Sequence, residues 1–198
     1  MHRKNISPLL ILLIFVATTA LAKEKGAPPM VTGAPGNNTC GKSRCHTSFE
    51  VNSGPAVIEV LGFPKVYTPG ETYELTIVGK QADIKTWGFE ITLADTNNKP
   101  AGDLQVIDTK QTQRHDPRRY AGRSDLLYIT HTKDGIQTKT PGESPHWPVR
   151  WIAPGTPDSP AHLYVAINAA NGDEKKYSDY IYTRQFVSVP AEADSTEP

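Results

Sequence analysis

The segment Tyr67-Thr68-Pro69-Gly70-Glu71-Thr72-Tyr73-Glu74-Leu75-Thr76-Ile77-Val78-Gly79 decides the fold class. Pro69 and Gly70 place a turn at its start, because proline presets the first turn dihedral and glycine accepts a positive one. Tyr73, Leu75 and Ile77 then alternate with Glu74, Thr76 and Val78. That period of two is the mark of a half-buried strand, and no helical stripe fits the same residues.

Working outward, runs of the same kind recur between clusters of Pro, Gly, Asn and Asp. They are Ala56 to Leu61, Trp87 to Ala94, Leu104 to Ile107 and Leu126 to Thr130, then Trp147 to Ile152, His162 to Asn168 and Tyr180 to Val189. Together they predict an all-β fold, an antiparallel immunoglobulin-like β-sandwich. Trp87, Trp147 and Trp151 alternate with apolar neighbours and are expected in its core. Asn168, Asn171, Asp173, Asp179 and Asp158 lack the ordered acidic spacing of a calcium loop and read as turn chemistry.

The chain's start looks different. Arg3 and Lys4 precede a mostly apolar run from Pro8 to Leu21, and Ala20-Leu21-Ala22 offers small residues before a cleavage point, so residues 1–22 read as a secretory signal peptide. The run is short for a membrane span, and Lys23-Glu24-Lys25 follows at once. A periplasmic or extracellular mature chain of about 175 residues, one domain by length, is the expectation. Residues 23–53, rich in Gly, Pro and Asn, read as an irregular arm, residues 54–190 as the sandwich, and the acidic residues 191–198 as a frayed tail. The arm carries few apolar side chains, so the sandwich is expected to fold without it. Lys plus Arg equals Asp plus Glu at 21 each, with no long run of one sign, which argues against a nucleic-acid partner or a basic membrane-binding face.

The arm holds both cysteines of the chain, in Cys40-Gly41-Lys42-Ser43-Arg44-Cys45-His46. Two cysteines followed directly by a histidine form the attachment pattern of haem c, in which both sulfurs bond the porphyrin vinyl groups and the histidine ligates iron. Four residues separate the cysteines here, where the usual pattern has two. The competing reading joins Cys40 to Cys45 in a disulfide, worth only about 2 kcal/mol for so small a loop. A copper or zinc site from the same trio lacks an obvious fourth ligand nearby. His131, at the end of a strand run, is the first candidate for a sixth iron ligand and Met30, within the arm, the second. His115, His146 and His162 rank behind them, and Arg114, Arg118, Arg119 and Arg123 around Tyr120 could meet haem propionates or an acidic redox partner.

The segments YTPGETYELTIVG, WGFEITLAD, LLYITHT, WPVRWIAP and LYVAINAANGDEKKYSDYIYT resemble successive strands of a reeler domain, the sandwich named after the amino-terminal part of reelin. VTGAPGNNTCGKSRCH at Val31 to His46 is similar to the arm and haem-attachment-like motif that precede the first strand in exported bacterial versions. The resemblance spans Val31 to Pro190 and implies a reeler-like sandwich; it does not choose an activity. No nucleophile elbow, metalloprotease helix or phosphate-cradling loop occurs, so an electron carrier or binding module is expected, not an enzyme. Two functions stand: an exported monohaem c-type cytochrome acting in electron transfer with an extracytoplasmic redox protein, or a haem-free extracellular module binding a surface component. Homo-oligomers are compatible with either.

Overall fold

The computed structural model describes residues 25–42, 45–117, 124–136, 143–156 and 159–192. The signal-peptide expectation, residues 193–198 of the tail, and Arg118, Arg119, Tyr120, Arg123 and Asp158 lie outside them. Among the described residues, ten strands follow in order: β1 (Val57–Leu61), β2 (Val66–Tyr67), β3 (Thr72–Lys80), β4 (Thr86–Ala94), β5 (Asp103–Val106), β6 (Thr112–His115), β7 (Tyr128–His131), β8 (His146–Ile152), β9 (Ala161–Ala170) and β10 (Tyr180–Pro190). They form a four-stranded sheet in the order β1-β3-β8-β5 and a six-stranded sheet in the order β2-β10-β9-β4-β7-β6. Every pairing is antiparallel except β2 with β10. The chain is therefore an all-β sandwich, and each strand run foreseen in the sequence has a strand in it.

The alternation within each strand places its apolar half between the sheets. Leu75 and Ile77 of β3 and Trp147, Val149 and Trp151 of β8 face Trp87, Phe89, Ile91 and Leu93 of β4 and Leu163, Val165, Ile167 and Ala169 of β9 in one buried cluster. Trp147 stacks on Phe89, with ring centroids 4.4 Å apart. Its indole N–H donates to the Gly135 carbonyl at 2.7 Å, and that of Trp151 to the Ala101 carbonyl at 2.8 Å. Both tryptophans thus bury their rings without leaving the polar nitrogen unpaired.

β4 departs from simple alternation. Every residue from Trp87 to Ala94 is buried, including the outward-facing Gly88, Glu90, Thr92 and Ala94. The cause is the arm, which lies across the outer face of the six-stranded sheet. Near β7 the Ala27 N–H donates to Thr130 Oγ1 at 3.0 Å; over β4 the Val31 N–H donates to Glu90 Oε2 at 2.8 Å; over β10 the Asn52 N–H donates to the Ile181 carbonyl at 2.8 Å. Gly26 adopts a φ of +112° where an added Cβ would lie 2.9 Å from the His131 carbonyl oxygen. Only glycine fits so close a crossing.

The arm buries Val31, Thr32 and Ala34, and Met30 packs against the cluster of Ala94, Leu126 and Tyr128. The arm adds no residue to the main cluster between the sheets; what it supplies is a second cover over the outer face of β4 and β7. Among its described residues the arm holds one β-bridge, Thr32 with Thr39, and otherwise turn-like backbone bonds such as Asn37 N–H to the Ala34 carbonyl and Asn38 N–H to the Met30 carbonyl. Irregular backbone and tight packing coexist because the sheet's side chains satisfy the arm's amides.

Candidate functional site

Cys40, Cys45 and His46 sit where the arm turns back over β10. The His46 N–H donates to the Cys40 carbonyl at 3.0 Å, closing the loop and drawing the motif together. Gly41 makes room for it, since a Cβ there would meet Val51 at 2.6 Å. Cys40 and Cys45 are each partly exposed.

The two ends of the motif have opposite environments. The Cys40 sulfur turns inward toward the Val31 carbonyl at 3.9 Å. Cys40 keeps some surface as a residue, yet its thiol is desolvated, and this burial, reinforced by Glu90 and Cys45, pushes its pKa well above the ordinary range. A thiol in that state is a poor nucleophile. His46, by contrast, is anchored: its Nδ1 lies 2.8 Å from Asp179 Oδ2, with side chains 16% and 1% exposed respectively. Asp179 Oδ1 in turn accepts from the Asn171 N–H at 3.2 Å, so the carboxylate is held from both sides. A carboxylate at Nδ1 fixes the ring and directs Nε2 away from it, the arrangement that orients metal-binding histidines.

Asp179 was read from sequence as turn chemistry; it is the partner of the motif histidine, 133 residues away. No local spacing signals such a pair. Beside it, Phe49 stacks on Tyr180 with centroids 4.2 Å apart, and Ser48 Oγ accepts from the Ser178 N–H at 2.8 Å. The arm and the loop before β10 are thus joined around His46.

The sixth-ligand candidates lie in other surroundings. His131 is expected at an edge facing the arm, but its ring is buried, 6% exposed, above Gly88, where an added Cβ would come within 2.8 Å of the ring. Its Nδ1 accepts the Phe89 N–H at 3.0 Å, so the imidazole supplies an acceptor to the β4 backbone. The correction has a simple cause: β7 is covered by both the core and the arm, and its four residues are all buried. Met30 has a φ of 72° and its side chain packs in the small cluster around Leu126 and Tyr128. His115 ends β6 instead of lying in a loop, His146 opens β8 on its exposed side, and His162 Nδ1 lies 2.7 Å from Gln185 Nε2. Among the described residues, no group of three or more His, Cys, Asp and Glu side chains is placed to hold a metal ion.

No protein-family model matches the chain. No curated protein matches it either. Among solved structures, the human F-spondin reeler domain is 19% identical, covers 70% of this chain and 92% of its own, and has a TM-score of 0.44. AvmM, which catalyses macrocyclization in alchivemycin A biosynthesis, is 17% identical over 78% of this chain and 98% of its own, with a TM-score of 0.47. A cohesin module from a Clostridium perfringens family 33 glycoside hydrolase is 8% identical over 69% and 96%, with a TM-score of 0.40. The functional reading rests on the residues themselves.

Proposed function

We propose that the chain is an exported, extracytoplasmic binding module of the reeler kind, which presents a rigid sandwich edge to a surface component. The observation that carries this reading is a group of exposed apolar residues on edge strands. Val57 and Leu61 of β1 are 53% and 52% exposed, and Val66 of β2 is 54% exposed beside Val187 and Val189 of β10. The Ala56 N–H donates to the Tyr182 hydroxyl at 3.2 Å, tying the start of β1 to β10. β1 ends its sheet, so among the described residues one side of its backbone has no strand partner. An extended polypeptide segment satisfies both needs at once, adding a strand and covering the outward side chains. No helix of the described residues is long and apolar enough to cross a membrane.

The expected result is that the mature chain binds an immobilised decapeptide of alternating Val and Thr. A double change of Val57→Lys and Leu61→Lys should weaken that binding by about tenfold or more, corresponding to at least 1.4 kcal/mol, without unfolding the sandwich. Equal binding by the variant, or none by the parent, overturns the edge reading.

The His46–Asp179 pair supports a second reading, the monohaem cytochrome. Cys40 and Cys45 would then hold haem c through thioether bonds and His46 would ligate its iron through Nε2. Haem so bound supplies one-electron exchange. Asp179 would hold the ring in register, and the inward Cys40 sulfur requires the arm to lift before its bond forms. Export through a periplasm with haem-attachment machinery separates the readings: the cytochrome is red and keeps its haem on denaturation, whereas the module is colourless. In a red product, carbon monoxide binding gained in His131→Ala identifies His131 as the sixth ligand. Loss of the far-red sulfur-to-iron band in Met30→Ala identifies Met30 instead.

A further inference from the structure

We propose that the Glu90 carboxyl is a proton-operated latch, which clamps the arm onto the six-stranded sheet and keeps Cys40 covered. The inference is independent of either reading of the cysteines. Glu90 lies in the middle of β4, between β9 and β7, and is fully buried. One oxygen, Oε2, accepts the Val31 N–H at 2.8 Å; the other, Oε1, is buried without a hydrogen-bond partner. Val31 presents its amide because Met30 turns the chain through a φ of 72°, a conformation costing a non-glycine residue about 1 kcal/mol or more. A single amide is thus the arm's answer to a carboxyl that a strand holds in place.

The ionisable groups around Glu90 are Cys40 and Cys45 from the arm and Tyr128 and His131 from β7; the His131 ring lies over Gly88, two residues along the same face of β4, with its Nδ1 accepting the Phe89 N–H. From β9 the register partner is Ala166 and from β7 it is Thr130, neither ionisable. Burial holds the Glu90 carboxyl well above the usual carboxylate range, and the Val31 bond offsets only part of this. Burial, foremost, likewise raises Tyr128.

The sign of the linkage follows. A carboxyl that binds its proton more tightly in the docked state stabilises that state fully below the ordinary carboxylate range. The contribution is lost as pH rises through the raised value. Above it, a carboxylate has the Val31 N–H as its one hydrogen bond, and burying so poorly solvated a charge is costly. β4 is fixed by pairing on both sides, while the arm is held by a few separate bonds, so the arm yields. Water then reaches Glu90, and Cys40 is uncovered.

The test uses the reduced mature chain carrying Cys45→Ser, which leaves Cys40 as the one thiol and removes both haem attachment and disulfide formation. Iodoacetamide labelling of Cys40 is measured in the native and urea-unfolded chain at pH values below the ordinary thiol range of about 8.5, where the thiol is protonated in both states and its raised native value adds no pH dependence to the ratio of the two rates. The ratio of unfolded to native rate should fall by tenfold or more as pH rises in the parent. In Glu90→Gln, which keeps the acceptor for Val31 but cannot ionise, it should stay flat. The same fall in both overturns the latch, as does native labelling as fast as unfolded at every pH. Should Glu90→Gln fail to fold, amide exchange in the parent decides: Val31 protection must drop with rising pH while β4–β9 ladder amides keep theirs, and unchanged Val31 protection overturns the proposal.

Discussion

A chain that begins at residue 54 is expected to lose about 5 kcal/mol or more of stability relative to one that begins at residue 25, a large share of the 5–15 kcal/mol typical of a domain. Removing the arm exposes the outer face of β4 and β7, where Glu90, Thr92, Thr130 and Tyr128 are buried in the intact chain. Val31 leaves the interior, where full burial of such a side chain is worth roughly 1.5–3 kcal/mol, and the half-buried Met30 leaves its cluster against Leu126 and Tyr128. Thr130 Oγ1, Glu90 Oε2 and the Ile181 carbonyl lose their bonds from the arm. Urea unfolding followed by tryptophan fluorescence measures the difference. An unchanged midpoint in the shorter chain would show that the sandwich closes its own outer face.

Trp151→Ala is the second large effect, expected to cost 3–5 kcal/mol, the range for truncating a buried tryptophan. Trp151 is fully buried, and three aromatic rings meet it: Phe63 at 5.3 Å, Tyr67 at 5.4 Å and Tyr73 at 5.3 Å between centroids. These contacts join β8 to β2, β3 and the segment between β1 and β2, so the cavity opens where both sheets and an edge meet. The lost indole also leaves the Ala101 carbonyl without its 2.8 Å donor. Trp151→Phe keeps most of the ring contacts and should cost clearly less, and equal losses in the two variants would refute the aromatic packing as the cause.

The strands were legible because their apolar residues alternate, and alternation is a local signal. Leu75 and Ile77, or Trp147, Val149 and Trp151, announce their common face without any knowledge of the partner sheet. β2 and β6 escaped for the opposite reason: Val66–Tyr67 is too short to show a period, and Thr112–His115 contains no apolar residue. Docking of the arm was hidden because the outward residues of β4, Gly88, Glu90 and Thr92, look like the solvated half of an ordinary strand. The cysteine motif was plain, whereas its anchor Asp179 and its buried neighbour Glu90 belong to the site only through tertiary structure. His131 was visible as a strand end, but a sequence cannot tell an exposed end from one roofed by another segment.

The strap over the six-stranded sheet also sets an order of events in the life of the chain. Its bonds join residues far apart in sequence: Ala27 to Thr130 across 103 positions, His46 to Asp179 across 133, and Thr183 to Asn52 across 131. Contacts of such long separation form late, and sandwiches dominated by them fold in milliseconds to seconds. Were the chain to cross a membrane amino end first, Cys40 and Cys45 would reach the outer compartment while β10, their eventual neighbour, was still on the other side, and an enzyme or oxidant acting on those sulfurs would meet them as an unfolded peptide. Arrival of the last strand then closes that interval, and Cys40 passes into the interior in whatever chemical state it has reached.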